Sequence, residues 1–196
     1  MDGLERSGNV FLHYALAKSI SNEIISTRSH DVKTLIEYTS NDPFVVPVRD
    51  AIPSIASAKI YRDKIFSEGL YESYDFISTE LETIIKRYDV YISYLIENPR
   101  FFIAPFHEFT KDHNLVVKKL ARIYPSLKIK KGSTVKDIEQ TILKKNTSPY
   151  PEELGNFPRP TPKKAEIEKI LISSHLKDIT RIQDNINHLY NRYYSL

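Results

Sequence analysis

The chain reads as an α/β protein, rich in helix, with a short parallel sheet in a three-layer sandwich whose first strand is truncated or missing. Three observations predict this class. Two compact apolar runs, Phe44–Val48 and Phe101–Ala104, have strand character. Segments with apolar residues at helical spacing separate and follow them. Long crossovers between short apolar strands suit parallel pairing with helices on both faces. An all-helical chain is the alternative, because so few strands are visible.

Taken in order, Phe11, Leu12, Ala15, Leu16 and Ile20 predict a first helix over Phe11–Ile25. Leu35–Glu37 is a short apolar stretch, parted from the Phe44 strand by Asp42-Pro43. Pro47 disfavours a central position for that strand unless its missing donor falls at the strand end. Pro53 suits the start of a helix carrying Ile52, Ile55, Ala56 and Ile60. Ile77, Leu81, Ile84, Ile85, Tyr88, Ile92 and Leu95 predict a long helix over Tyr74–Ile96, ended by Asn98-Pro99. Asn114–Tyr124 is the next helix, and a shorter one begins near Val135. Residues 144–162 are polar and rich in proline, as in a long surface loop or lid. Two helices, Lys163–Ser174 and Asp178–Tyr194, close the chain. The length of 196 residues suits a single domain over residues 1–196.

Composition removes several function classes. With no cysteine there is no disulfide, no thiolate metal site and no cysteine nucleophile. No metal site is expected, since His107 and His113 are too loosely spaced without further ligands. No apolar run is long enough for a membrane span. Asp2 and Glu5 precede any Lys or Arg, unlike a signal peptide, and a cytoplasmic location is expected. A net charge of +3 is a weak field for a nucleic-acid binder. Lys128, Lys130, Lys131, Lys144 and Lys145 read equally well as the solvated side of a loop and helix, so nucleic acid is not the expected partner.

Two segments have the chemistry to hold anions. In Glu5-Arg6-Ser7-Gly8-Asn9-Val10, Gly8 permits a turn just before a helix. The free N–H groups of that helix start favour an anion, Arg6 adds charge, and Ser7 and Asn9 add polar contacts. The Walker A pattern is absent. An ordinary capped helix start is the other reading. The second segment is Val48-Arg49-Asp50-Ala51 at a strand-to-helix junction, with Ser57 eight residues after Arg49. In a parallel sheet both segments would open on the carboxyl edge of the strands. A surface arginine with a helix-face serine is the alternative there.

Together these segments resemble PAPS-dependent sulfotransferases. Arg6-Ser7-Gly8-Asn9-Val10-Phe11-Leu12 is similar to that family's 5′-phosphosulfate loop, close to P-[KR]-S-G-[TS]-T-x-[LM], with Asn9-Val10 in place of a hydroxyl pair. Arg49 and Ser57 resemble its 3′-phosphate motif in residue type and spacing. Asn156-Phe157-Pro158-Arg159-Pro160 stands where the family has a basic loop over the nucleotide, although the RKG sequence is absent. No strand precedes Gly3, where the family has its central one.

The resemblance implies transfer of a sulfuryl group from 3′-phosphoadenylyl sulfate (PAPS) to a hydroxyl or amine of a small molecule, sugar or lipid, releasing 3′,5′-ADP (PAP). It implies that Arg6, Ser7, Gly8 and Asn9 hold the 5′-phosphate, with Arg6 also on the leaving oxygen. Arg49 and Ser57 would hold the 3′-phosphate, and Arg159 would be a lid contact. His30, 19 residues before Arg49, resembles the acceptor's base in the small-molecule branch. Glu23 is a weaker carboxylate candidate, and Glu108 reads as a structural contact. A homo-oligomer is left open. The alternative is a non-catalytic nucleotide-binding or structural protein that retains the fold.

Overall fold

The computed structural model describes residues 1, 3, 8–25, 30–67, 78–130, 132–144 and 161–196. Eight helices and two strands follow in the order α1 (Asn9–Ser19), α2 (Val32–Glu37), β1 (Val45–Val48), α3 (Ala51–Ser67), α4 (Leu81–Glu97), β2 (Phe102–Pro105), α5 (Phe106–Ile123), α6 (Val135–Lys144), α7 (Pro162–Ser174) and α8 (Leu176–Tyr194) among the described residues. The molecule is therefore helix-rich with a two-stranded parallel sheet, compatible with the α/β class. None of these helices is long and apolar enough to cross a membrane.

The sheet pairs Val45 with Phe102, Val46 with Ile103, Pro47 with Ala104 and Val48 with Pro105. Successive strand side chains point to opposite faces, and both faces are apolar here. Val46, Val48 and Ile103 enter one buried cluster with Ile84, Ile92 and Leu95 of α4 and Ile182, Ile186 and Leu189 of α8. Val45, Phe102 and Ala104 enter another with α1, α5 and α6, through Leu12, Leu16, Phe109, Val116, Leu120 and Ile138. Burial on both faces explains why each strand reads as a continuous apolar run rather than an alternating one.

Pro47 sits mid-strand, and the ladder shows why it is tolerated. The Phe102 N–H donates to the Phe44 carbonyl at 2.9 Å. In a parallel ladder alternate residues of one strand face the same neighbour. Phe44, Val46 and Val48 therefore face β2, and Pro47 turns its donorless nitrogen to the other edge. Gly3 lies at that edge. A Cβ on Gly3 would stand 2.9 Å from the Pro47 carbonyl oxygen and 2.7 Å from its ring, so only glycine fits.

Several boundaries depart from the sequence expectation. The first helix stops at Ser19 rather than Ile25, because Ile20 turns extended and bridges to Ile129. The Ser21 N–H donates to the Lys128 carbonyl and the Lys130 N–H to that of Ser19, both at 2.8 Å. Leu35–Glu37 belongs to a helix, started by the Asp31 side chain accepting from the Lys33 N–H at 2.9 Å. The helix expected from Asn114 begins at Phe106, directly after β2, and kinks at Asp112. Tyr74 to Ile77 and most of the proline-rich stretch, residues 145–160, lie outside the described residues. The C-terminal helical pair is present as α7 and α8.

Core burial predicts the cost of losing side chains from α8. Ile182→Ala, at a site with no solvent exposure, should lower unfolding free energy by about 2–5 kcal/mol in denaturant titrations. Ile172→Ala, at a half-exposed site on α7, should change it by no more than about 0.5 kcal/mol.

Candidate functional site

The carboxyl edge of the sheet gathers four chain segments. β1 delivers Arg49 and Asp50, and β2 delivers Phe106, His107 and Glu108. The start of α1 and the end of α8 pack beside them.

Gly8 caps α1 with φ 97°, in the left-handed region. A Cβ there would come within 2.7 Å of Phe109 and 2.8 Å of Phe106. Arg49 stacks its guanidinium on that same Phe106 ring, 4.6 Å from the centroid. The start of α1 and the β1 arginine thus share one aromatic ring. Ser57 is buried on α3. The serine that shares a cavity with Arg49 is instead Ser54, with Val48, Tyr88 and Tyr91 in the wall. That cavity, about 10 Å³, has room for a single water. The Ser54 hydroxyl is buried and has no hydrogen-bond partner among the described residues.

His30 lies beside the start of α1. Its Nδ1 is 2.6 Å from the Gly3 carbonyl oxygen. Two lone pairs cannot share so short a distance, so Nδ1 carries the proton and a neutral ring keeps its acceptor on Nε2. Asn9 Nδ2 donates to the same carbonyl at 2.8 Å. The backbone of His30 is left-handed, φ 55°, an uncommon state for a non-glycine residue. Arg87 of α4 holds it there, donating from Nη2 to the His30 carbonyl at 2.7 Å. The structure thus joins Gly8, Asn9 and His30 at one corner, with Arg49 on the Phe106 ring that Gly8 also approaches. Arg6, Ser7 and Arg159 lie outside the described residues. Glu23 is remote from this edge, in a cavity wall near the amino ends of the strands.

Helix α8 braces the edge. Gln183 Oε1 accepts from the Ala51 N–H at 2.9 Å, satisfying a donor at the start of α3. Tyr190 donates to Asp50 Oδ1 at 3.2 Å. Burial and the Asp50 carboxylate push the Tyr190 phenol far above its ordinary range. Tyr194 donates to Glu108 Oε1 at 3.1 Å and lies 2.6 Å from His107 Nε2. The hydroxyl has one proton, so His107 Nε2–H donates to it and neutral His107 keeps its acceptor on Nδ1. The ring of His107 meets Tyr190 edge-on at 5.0 Å. Sequence reasoning gave Asp50, Gln183, Tyr190 and Tyr194 no role. Their partners lie up to 142 residues away in the chain, and no local pattern announces the pairing.

No group of three or more metal-ligating side chains occurs among the described residues. No family model matches the chain, and neither a curated protein nor a solved structure shows significant similarity to it.

The tyrosines generate a pH prediction. Burial raises the phenols of both Tyr190 and Tyr193. The folded state keeps these protons while the unfolded chain releases them near the ordinary tyrosine pKa of about 10. Stability should therefore fall as pH rises above about 10. Denaturant midpoints measured across this range should shift downward, and less steeply in Tyr190→Phe.

Proposed function

We propose that the chain binds 3′-phosphoadenylyl sulfate at the carboxyl edge of its sheet and transfers the sulfuryl group to a hydroxyl or amine of a small molecule, sugar or lipid. The observation that carries this reading is that the glycine-started helix α1 and the Arg49 guanidinium both lie against the Phe106 ring. A helix start and an arginine beside the same ring are suited to two separate phosphates of one nucleotide. The two buried clusters flanking the sheet also favour a three-layer sandwich over the all-helical alternative.

In this reading Gly8 and Asn9, with Arg6 and Ser7, hold the 5′-phosphosulfate. Arg49 takes the 3′-phosphate, and Arg159 closes over the nucleotide. The acceptor oxygen or nitrogen forms a bond to sulfur while the bond between sulfur and the phosphate oxygen breaks. PAP leaves, and Arg6 offsets the charge growing on its oxygen. His30 Nε2 receives the acceptor's proton. The tautomer set by the Gly3 carbonyl suits that role. A second base is favoured by one specific observation: the chain His107–Tyr194–Glu108 leaves the Nδ1 lone pair of His107 available on the same edge.

Calorimetry with 3′,5′-ADP against 5′-ADP tests the nucleotide site. The 3′-phosphate should tighten binding, and Arg49→Ala should remove that preference, a loss of about 1.5–3 kcal/mol. Equal binding of the two nucleotides would reject the assignment. Turnover with PAPS and a panel of alcohols then separates the bases. His30→Ala should lower kcat by roughly a hundredfold or more with nucleotide affinity kept. The same loss in His107→Ala alone would transfer the role to His107. Nucleotide binding without turnover on any acceptor would favour the non-catalytic alternative.

A further inference from the structure

At the amino end of the strands lies a cavity of about 420 Å³, in the range of small-molecule sites. It is walled by the end of α1, by α2, by the Asp42–Val45 approach to β1 and by the end of α5. Val45 stands four residues before Arg49 on an extended strand, so the two sites are roughly 13 Å apart at about 3.3 Å per residue. Transfer chemistry needs reacting atoms about 3–3.5 Å apart. This cavity is therefore no acceptor pocket for the edge described above, and it stands independently of that reading.

Its wall selects a ligand by chemistry. Leu16, Ile20, Leu120 and Leu127 form an apolar floor. Tyr38 and Phe44 meet as an aromatic corner, centroids 4.5 Å apart and rings at 67°. The Tyr38 hydroxyl donates to the Asp42 carbonyl at 2.7 Å, which fixes that ring. Among the described residues, the charged groups in the wall are Glu23, Asp42 and the Met1 ammonium. Met1 donates to the Ile25 carbonyl at 2.6 Å, and Asp42 accepts from the Ser40 hydroxyl at 2.7 Å. Neither carboxylate forms an ion pair among the described residues. Two carboxylates against one ammonium make the charge of the described wall residues net negative. Negative charge beside aromatic faces, above an apolar floor, is the environment that attracts an organic cation.

We propose that this cavity binds an organic cation, an ammonium group on an apolar body of ring or short-chain size. The carboxylates of Glu23 and Asp42 select the charge, the Tyr38–Phe44 corner takes the ammonium face, and the aliphatic floor takes the body.

The probes are phenylbutylammonium and its anionic counterpart phenylbutyrate, titrated calorimetrically into the full chain. The ammonium should bind at least about tenfold tighter, a difference of about 1.4 kcal/mol. The paired change Glu23→Gln and Asp42→Asn, both near the surface, should erase that preference. Filling the cavity from either wall, by Thr34→Trp or by Ser126→Trp, should abolish binding while far-UV circular dichroism stays native. Two filling variants keep the test valid where one fails to fold. Equal affinity for the two probes would overturn the proposal. So would absence of ammonium binding to the native chain, or binding that survives in a folded tryptophan variant.

Discussion

The parallel pairing of β1 with β2 is the constraint from which the remaining structure follows. A two-stranded sheet is not stable alone in water. It persists here because both faces are covered. Alternation sends Val46 and Ile103 to the α4–α8 side and Val45 and Phe102 to the α1–α5–α6 side. The strands thereby tie two otherwise separate apolar clusters together. Pro47 is accommodated because its nitrogen faces away from β2, toward the edge that Gly3 closes.

Parallel pairing also places both strand-to-helix junctions on one edge. That geometry, rather than any single residue, puts Arg49 within reach of Phe106 and sets the start of α1 against the same ring. The junctions expose backbone donors and bring charged groups close together. Helix α8 answers both needs, with Gln183 on the α3 start, Tyr190 on Asp50 and Tyr194 on the His107–Glu108 pair. Arg192 adds bonds to the carbonyls of Leu95 at 3.1 Å and Phe101 at 3.3 Å. The last helix is consequently a positioning element for an edge built by residues early in the chain.

Long periodic segments were legible in advance. The stripes of α4 and α8 and both strands carry enough repeated apolar residues for period and composition to point the same way. Short elements were not. Val32–Glu37 has only six residues, and its apolar pair Leu35-Ile36 resembles a strand until Asp31 is seen to cap it. The end of α1 was misplaced for a different reason: Ile24 continues the helical spacing, but a bridge to Ile129 competes and wins at Ile20. At the candidate site, Gly8 and Arg49 were visible from turn chemistry and from their junction positions. Ser54, nearer to Arg49 in space than pattern alone suggested, was not.

From the sequence alone, the helix stripes, the two buried strands, the special backbone at Gly8 and the absence of cysteine chemistry were determined, because each depends on residues close together in the chain. Tertiary structure decided the rest. The left-handed backbone of His30 depends on Arg87, 57 residues away, and its tautomer on Gly3, 27 residues away. The aromatic corner and carboxylates of the amino-end cavity come from α2, the β1 approach and the loop after α1, brought around one void. Local propensity carries no information about such partners, since each is selected by packing only after the sheet has brought the helices together.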